Sequence, residues 1–185
     1  MILRTKDIVL VALFSALLVV LGLLPPIPMP LVPVPLTLQT FGVMLAGLLL
    51  GPVRGSLVLV LYVGLALMGL PVLPGGRAGL AVLAGPTAGF LIGMIPGAAL
   101  TGWLVGKPLL DPKTTRLPAI LRCAFAAVCG GIAVVYGIGV PWLAFVTDMG
   151  LAKACWAVLV FLPGDLLKAA VAAVVAQRIR RIHII

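Results

Sequence analysis

Charge is what this chain has least of. Only 9% of its 185 residues are Asp, Glu, Lys or Arg, and 4 of them are acids. A soluble domain of this length needs far more polar surface to cover its core, so a water-soluble globular protein is excluded. Histidine occurs once, at His183, in a basic tail that reads as solvated. Cys123, Cys129 and Cys155 form no CxxC spacing and leave an odd count, which points to packing residues rather than a metal site or a disulfide framework. The phosphate-binding pattern GxxxxGK[ST] is missing, because Gly102 to Pro108 reads GWLVGKP with the wrong spacing. HExxH and GxSxG are missing too. The chain therefore reads as no enzyme, with no ATPase of its own and no call for a metal or other cofactor.

What it has instead is apolar length. Hydrophobic residues make up 63% of the sequence, and runs of about 20 such residues are candidates to cross a bilayer. The expected fold is an all-α integral membrane protein, one membrane domain over residues 1–185, with six transmembrane helices in a compact bundle. The expected spans are about 8–24, 38–50, 56–70, 86–105, 117–140 and 163–182, with outer loops at 25–37, 71–85 and 141–162. The first span is not read as a cleaved signal, since Leu23-Leu24-Pro25-Pro26 offers no small-residue cleavage site and more spans follow. It ends at PPIPMPLVPVP, where six prolines in eleven residues remove amide donors and hold the chain extended. The 38–50 span is short for a crossing on its own.

The end of the chain admits two readings. One span could run from Leu151 to Ala176. Alternatively, Pro163 opens the last helix, where its missing N–H costs nothing and Asp165 suits the positive end of the helix dipole. The second is preferred, because 163–182 then spans about 30 Å, one bilayer core. It leaves 151–162 as a short helix near the surface.

The net charge of +9 does not indicate nucleic acid, because the basic residues are scattered through loops and tails. They report orientation instead. With six spans and a cytoplasmic N-terminus, ten cations fall inside: Arg4, Lys6, Arg54, Lys107, Lys113, Arg116, Arg122, Arg178, Arg180 and Arg181. Arg77 and Lys153 fall outside, and Lys168 lies within the membrane region. Both termini are then cytoplasmic, and the proline-rich loop, the Gly-rich loop and the Asp165/Lys168 turn share the outer side.

Four groups of residues are candidates for function. Asp165 and Lys168 stand three apart on an apolar helix, so they share a face. Charges in the bilayer usually meet a cavity or a partner. The pair either anchors the helix or forms the polar wall of a ligand site. Gly75, Gly76 and Arg77 combine glycines that permit close backbone approach with a lone outer cation. Arg77 either contacts a ligand or anchors the interface. Gln39, beside Thr37 and Thr40, offers both a donor and an acceptor for an amide-like group, or a helix-start hydrogen bond. Ala12 and Ala16 form a small-xxx-small pair on the first span, suited to internal packing or to docking another membrane protein. A second small-residue series, Gly85, Gly89, Gly93 and Gly97, reads as a face for close helix packing.

Three stretches resemble the BioY family: VPLTLQTFGVMLAGLLLGPVRG, GLPVLPGGRAGLAVLAGPTAGFLIG and FLPGDLLKA. The family comprises the biotin-specific substrate-binding (S) components of energy-coupling factor (ECF) transporters. The resemblance covers nearly the whole chain. It implies the six-helix S-component fold, capture of biotin from outside at a prokaryotic cell membrane, and partnership with a transmembrane T component and two ATPase subunits. It also implies that the small face at Ala12 and Ala16 meets the T component. A homo-oligomer remains open for a chain working alone. Arg77-Ala78-Gly79 and Thr87-Ala88-Gly89 stand where many members carry more glycine. The same fold serving another small vitamin, a non-transporting scaffold, and an intramembrane enzyme are the alternatives, the last weakest for want of a nucleophile or metal set.

Overall fold

The computed structural model describes residues 4–29, 33–106 and 116–181, and is helical throughout, with no strand among the described residues. Lys107 and Lys113 of the polar loop, His183, residues 30–32 of the proline-rich segment and the expected end of the last span at 182 lie outside them. The helices are α1 (Thr5–Leu23), α2 (Gln39–Leu67), α3 (Ala88–Val105), α4 (Arg116–Val128), α5 (Val135–Thr147), α6 (Leu151–Val158) and α7 (Leu162–Arg181). Five helical stretches are long and apolar enough to cross a membrane: Thr5–Leu23, Gln39–Leu67, Ala88–Val105, Leu117–Thr147 and Leu151–Arg180. The protein is thus a multi-pass membrane protein.

The stretch expected as two spans, 38–50 and 56–70, is one element that doubles back on itself. Gly51 lies at φ 81° inside α2, a conformation that side chains rarely adopt, and Pro52 follows it. In a straight helix residues 39 and 62 would lie about 34 Å apart. Instead the Gln39 amide donates to the Tyr62 hydroxyl at 2.8 Å. The two arms of α2 are therefore antiparallel. Gly102 of α3 passes directly behind the turn, where a Cβ would sit 2.4 Å from the backbone of Gly51 and Pro52.

Charged side chains mark the same end of the bundle. Arg54, just past the turn, pairs with Asp7 of α1 at 2.9 Å, and Asp7 also accepts from the Arg4 amide. Arg180, in the last turn of α7, donates to the Leu48 carbonyl, one of the orphan acceptors where the first arm ends. Arg122 donates to the Leu104 carbonyl at 3.2 Å.

The chain from α4 to α5 is helical without interruption and passes through a π-helical turn at Cys129–Val134. It continues to Thr147, seven residues beyond the expected end at 140, because Pro141 is accommodated inside α5. Neighbouring helices make such prolines tolerable in membrane helices. Its packing surface is the glycine face of α3. A Cβ on Gly89 would strike Trp142 at 2.3 Å, and one on Gly97 would meet the Gly130 carbonyl at 2.7 Å. Lipid tails are as apolar as the side chains, so close backbone approach of this kind replaces hydrophobic burial as the cohesive term. Short 3-10 turns at Pro74–Gly76 and Leu80–Ala84 lie within the expected loop 71–85, and another at Leu159–Phe161 joins α6 to α7.

Two clusters of packed apolar side chains result. The larger links α1, both arms of α2, α3, α4 and α7. The smaller links α5, α6, Phe90, Phe161 and the proline-rich segment. The candidate site opens between them.

Candidate functional site

α7 runs from Leu162 and follows α6 directly through the 3-10 turn at Leu159–Phe161, so that 151–180 is one apolar helical stretch, and Asp165 lies in the first turn of α7. One turn on, Lys168 pairs with Asp165 at 2.8 Å. Both side chains are largely buried, at 4% and 10% exposure, so the pair is desolvated and must be satisfied by its surroundings.

The surroundings come from three other segments. The start of α2 supplies Thr40, whose hydroxyl donates to Asp165 Oδ1 at 2.9 Å. α5 supplies Tyr136, whose hydroxyl donates to Asp165 Oδ2 at 2.5 Å. The end of the proline-rich segment supplies the Thr37 carbonyl, which accepts from Lys168 Nζ at 2.6 Å, and Lys168 also donates to Thr40 Oγ1 at 3.2 Å. All three ammonium donors are therefore used. The carboxylate accepts three hydrogen bonds of about four it can take. The cluster is neutral overall and keeps spare acceptor capacity on Asp165.

This cluster forms the floor of an open cavity. The walls are mainly apolar, with Val34, Leu36, Leu73, Val82, Phe90, Leu91, Met94, Val135 and Phe161 among them. The proline-rich segment closes one side. Ile27 and Leu36 exchange backbone hydrogen bonds at 3.0 Å, which folds the segment back on itself and sets Val34 to Thr37 over the cavity.

The remaining candidates divide. Gln39 lines the cavity and is buried; its amide donates to Tyr62, which in turn donates to the Val72 carbonyl at 2.9 Å. Arg77 lines the cavity at an exposed position, donating to the Pro74 carbonyl at 3.2 Å and to Thr87 Oγ1 at 3.3 Å. Gly75 and Gly76 are not among the lining residues. They are exposed, take φ values of 75° and 71°, and form the turn that delivers Arg77 to the cavity. Ala12 and Ala16 are exposed on α1, on the opposite face from buried Phe14, Ser15, Leu18 and Gly22.

Tyr136 escaped the reading of the sequence, as did Tyr62. A signal existed. The chain has only 2 tyrosines, both inside apolar helices, and a buried phenol requires a hydrogen-bond partner. Which partner each finds is a tertiary matter.

The family model for BioY matches residues 1–184. The chain belongs to the BioY family. It is 46% identical over 175 residues to the biotin transporter BioY of Rhizobium etli, covering 95% of this chain and 93% of that one. It is 42% identical to the biotin transporter BioY of Rhodobacter capsulatus, covering 94% and 93%. Among solved structures it is similar to the crystal structure at 2.1 Å of the S-component for biotin from an ECF-type ABC transporter. That match has a TM-score of 0.87 and 34% identity over 97% of this chain and 95% of the other. The three stretches that carry the BioY resemblance lie far apart in sequence, yet residues from each line the same cavity: Gln39 and Thr40, Arg77 and Phe90, Asp165 and Lys168.

Proposed function

We propose that this chain is the substrate-binding membrane subunit of an ECF transporter and that it captures biotin in the cavity described above. The observation that carries the reading is the division of that cavity into a hydrogen-bonding floor, apolar walls and a cation at the exposed rim. Biotin has the matching parts: a ureido ring, an apolar body and a carboxylate tail. On this reading Asp165 accepts from a ureido N–H, and Lys168 or Tyr136 gives up a present partner to donate to the ureido carbonyl. Arg77 faces the carboxylate. Gln39 holds the wall, with Gly75 and Gly76 shaping the turn beneath Arg77. The chain is a transporter subunit and not an enzyme; hydrolysis of ATP falls to two ATPase subunits coupled through a T component. That T component docks on the exposed face at Ala12 and Ala16. Equilibrium binding of labelled biotin to the purified protein tests the proposal, with unlabelled biotin, thiamine and riboflavin as competitors. Saturable binding displaced by biotin alone is expected. Displacement by another vitamin alone would reassign the substrate.

We also propose six membrane crossings, with the arms of α2 as separate spans, both termini cytoplasmic, in the cell membrane of a prokaryote. The antiparallel arms support the count. The orientation is supported by the charge distribution, which puts Arg4, Arg54, Arg122 and Arg180 at one end and Arg77 and Lys153 in the outer loops. The first arm is only about 18 Å long, so the loop before it must reach into the outer interface. Single cysteines at Pro28, Val53 and Leu70, in a background lacking the native three, report sidedness. Pro28 and Leu70 are expected to label from outside and Val53 from inside. Labelling of Val53 from the same side as the others would leave α2 a re-entrant hairpin.

A further inference from the structure

The helical phase between Arg116 and Thr147 does not run straight through. α4 buries Ala119, Cys123, Ala126 and Ala127, and that face reaches Gly130. A regular α-helix would carry it on through Val134, Gly137, Ile138 and Pro141. Of these, Gly137, Ile138 and Pro141 are exposed. The buried face instead runs through Gly131, Val135, Gly139 and Leu143, one residue later, with Ile132 and Val140 buried beside it. The π turn at Cys129–Val134 takes up that extra residue. One residue is about 100° of helical rotation, so without the π turn Tyr136 would point well away from Asp165.

The widened turn is seated by glycine. A Cβ on Gly130 would lie 2.1 Å from Thr101 Oγ1 and 2.3 Å from the Gly97 carbonyl, both on α3. A Cβ on Gly131 would lie 2.5 Å from Met44 Cγ on the first arm of α2. Thr101 is itself fixed, donating to the Gly97 carbonyl at 2.9 Å. No side chain fits at Gly130 while the turn stays pressed against α3, and one fits at Gly131 only if Met44 moves aside. Five residues after Gly131, the Tyr136 ring meets Phe90 edge-on at a centroid distance of 6.0 Å, and its hydroxyl reaches Asp165.

We propose that Gly130 and Gly131 are positioning residues for the ligand site: they hold the π turn against α3 and α2, and the turn sets the rotation that aims Tyr136 at Asp165. The consequence for affinity rests on the biotin reading; the consequence for the tyrosine does not. The two tyrosines permit a direct test by fluorotyrosine NMR on the full-length protein in detergent, with the Tyr136 signal assigned by its loss in Tyr136→Phe. Gly131→Ala is the milder variant, since only the flexible Met44 side chain stands in its way, and it decides the matter if Gly130→Ala does not fold. The Tyr136 signal is expected to shift in the folded glycine variants while the Tyr62 signal stays. Biotin affinity is expected to fall about ten- to hundredfold in Tyr136→Phe, the usual range for a hydrogen bond to a charged group. Gly131→Ala is expected to lower it by no more than that. Adding Gly131→Ala to Tyr136→Phe should then cost nothing further. Folded glycine variants with an unmoved Tyr136 signal would overturn the proposal, as would losses that multiply in the double variant. A shifted signal in a protein that does not bind biotin would uphold the positioning role and overturn the substrate instead.

Discussion

Asp165→Asn and Lys168→Met should each weaken biotin binding by about 30-fold to several thousand-fold, measured as equilibrium affinity of the purified protein. Truncating one member of a buried, hydrogen-bonded charge pair at an interface costs about 2 to 5 kcal/mol or more, and about 1.4 kcal/mol is a factor of ten. The geometry gives the reason. Asp165 accepts from Thr40, Tyr136 and Lys168 at once. Asn keeps the shape but removes the charge that balances Lys168, and its NH2 group faces hydroxyl donors. Met at 168 fills the space of the lysine stem and leaves the carboxylate buried without its cation. Each single variant should also unfold at a lower temperature, because an uncompensated charge remains in a desolvated site. The double variant Asp165→Asn/Lys168→Met separates the two effects. With both charges gone, thermal stability should recover toward the parent, and biotin binding should not. Full biotin affinity in the double variant would make the pair a structural anchor only and move the ligand elsewhere.

Ala12→Trp and Ala16→Trp should leave biotin affinity within about twofold of the parent while abolishing biotin uptake in cells that express the T component and ATPases. Both residues are exposed on the face of α1 that turns away from the bundle. An indole there meets nothing in its own chain, yet it blocks the close backbone approach that small residues permit between membrane helices. Co-purification of the T component is the second readout and should fail in step with uptake. Uptake at the parent rate in both variants would place the docking surface on another face. A loss of binding equal to the loss of uptake would mean that α1 carries the change into the cavity.

The sequence by itself determined the class of protein and most of its parts. Its apolar length against so few charges leaves no soluble alternative. Pro163 and Asp165 mark the start of a helix because a missing N–H and a carboxylate both suit that end, and the three-residue offset puts Lys168 on the same face. The four-residue glycine series on α3 declares a packing surface through local periodicity alone. Each of these follows from neighbours within one or two turns. What needed the tertiary structure was every relation across the bundle. The expected spans 38–50 and 56–70 leave a break between them, but only the contact between Gln39 and Tyr62 shows the two arms lying side by side. Ala12 and Ala16 were equally suited to the inside or the outside until Phe14, Ser15 and Leu18 took the buried face. Gly75 and Gly76 read as a place for close backbone approach, and only the structure sets them in the turn before Arg77, outside the residues that line the cavity. Tyr136 stayed hidden because its partner lies 29 residues away and its orientation depends on a π turn. That turn arises from the fit of Gly130 and Gly131 against α3 and α2, which no local pattern encodes.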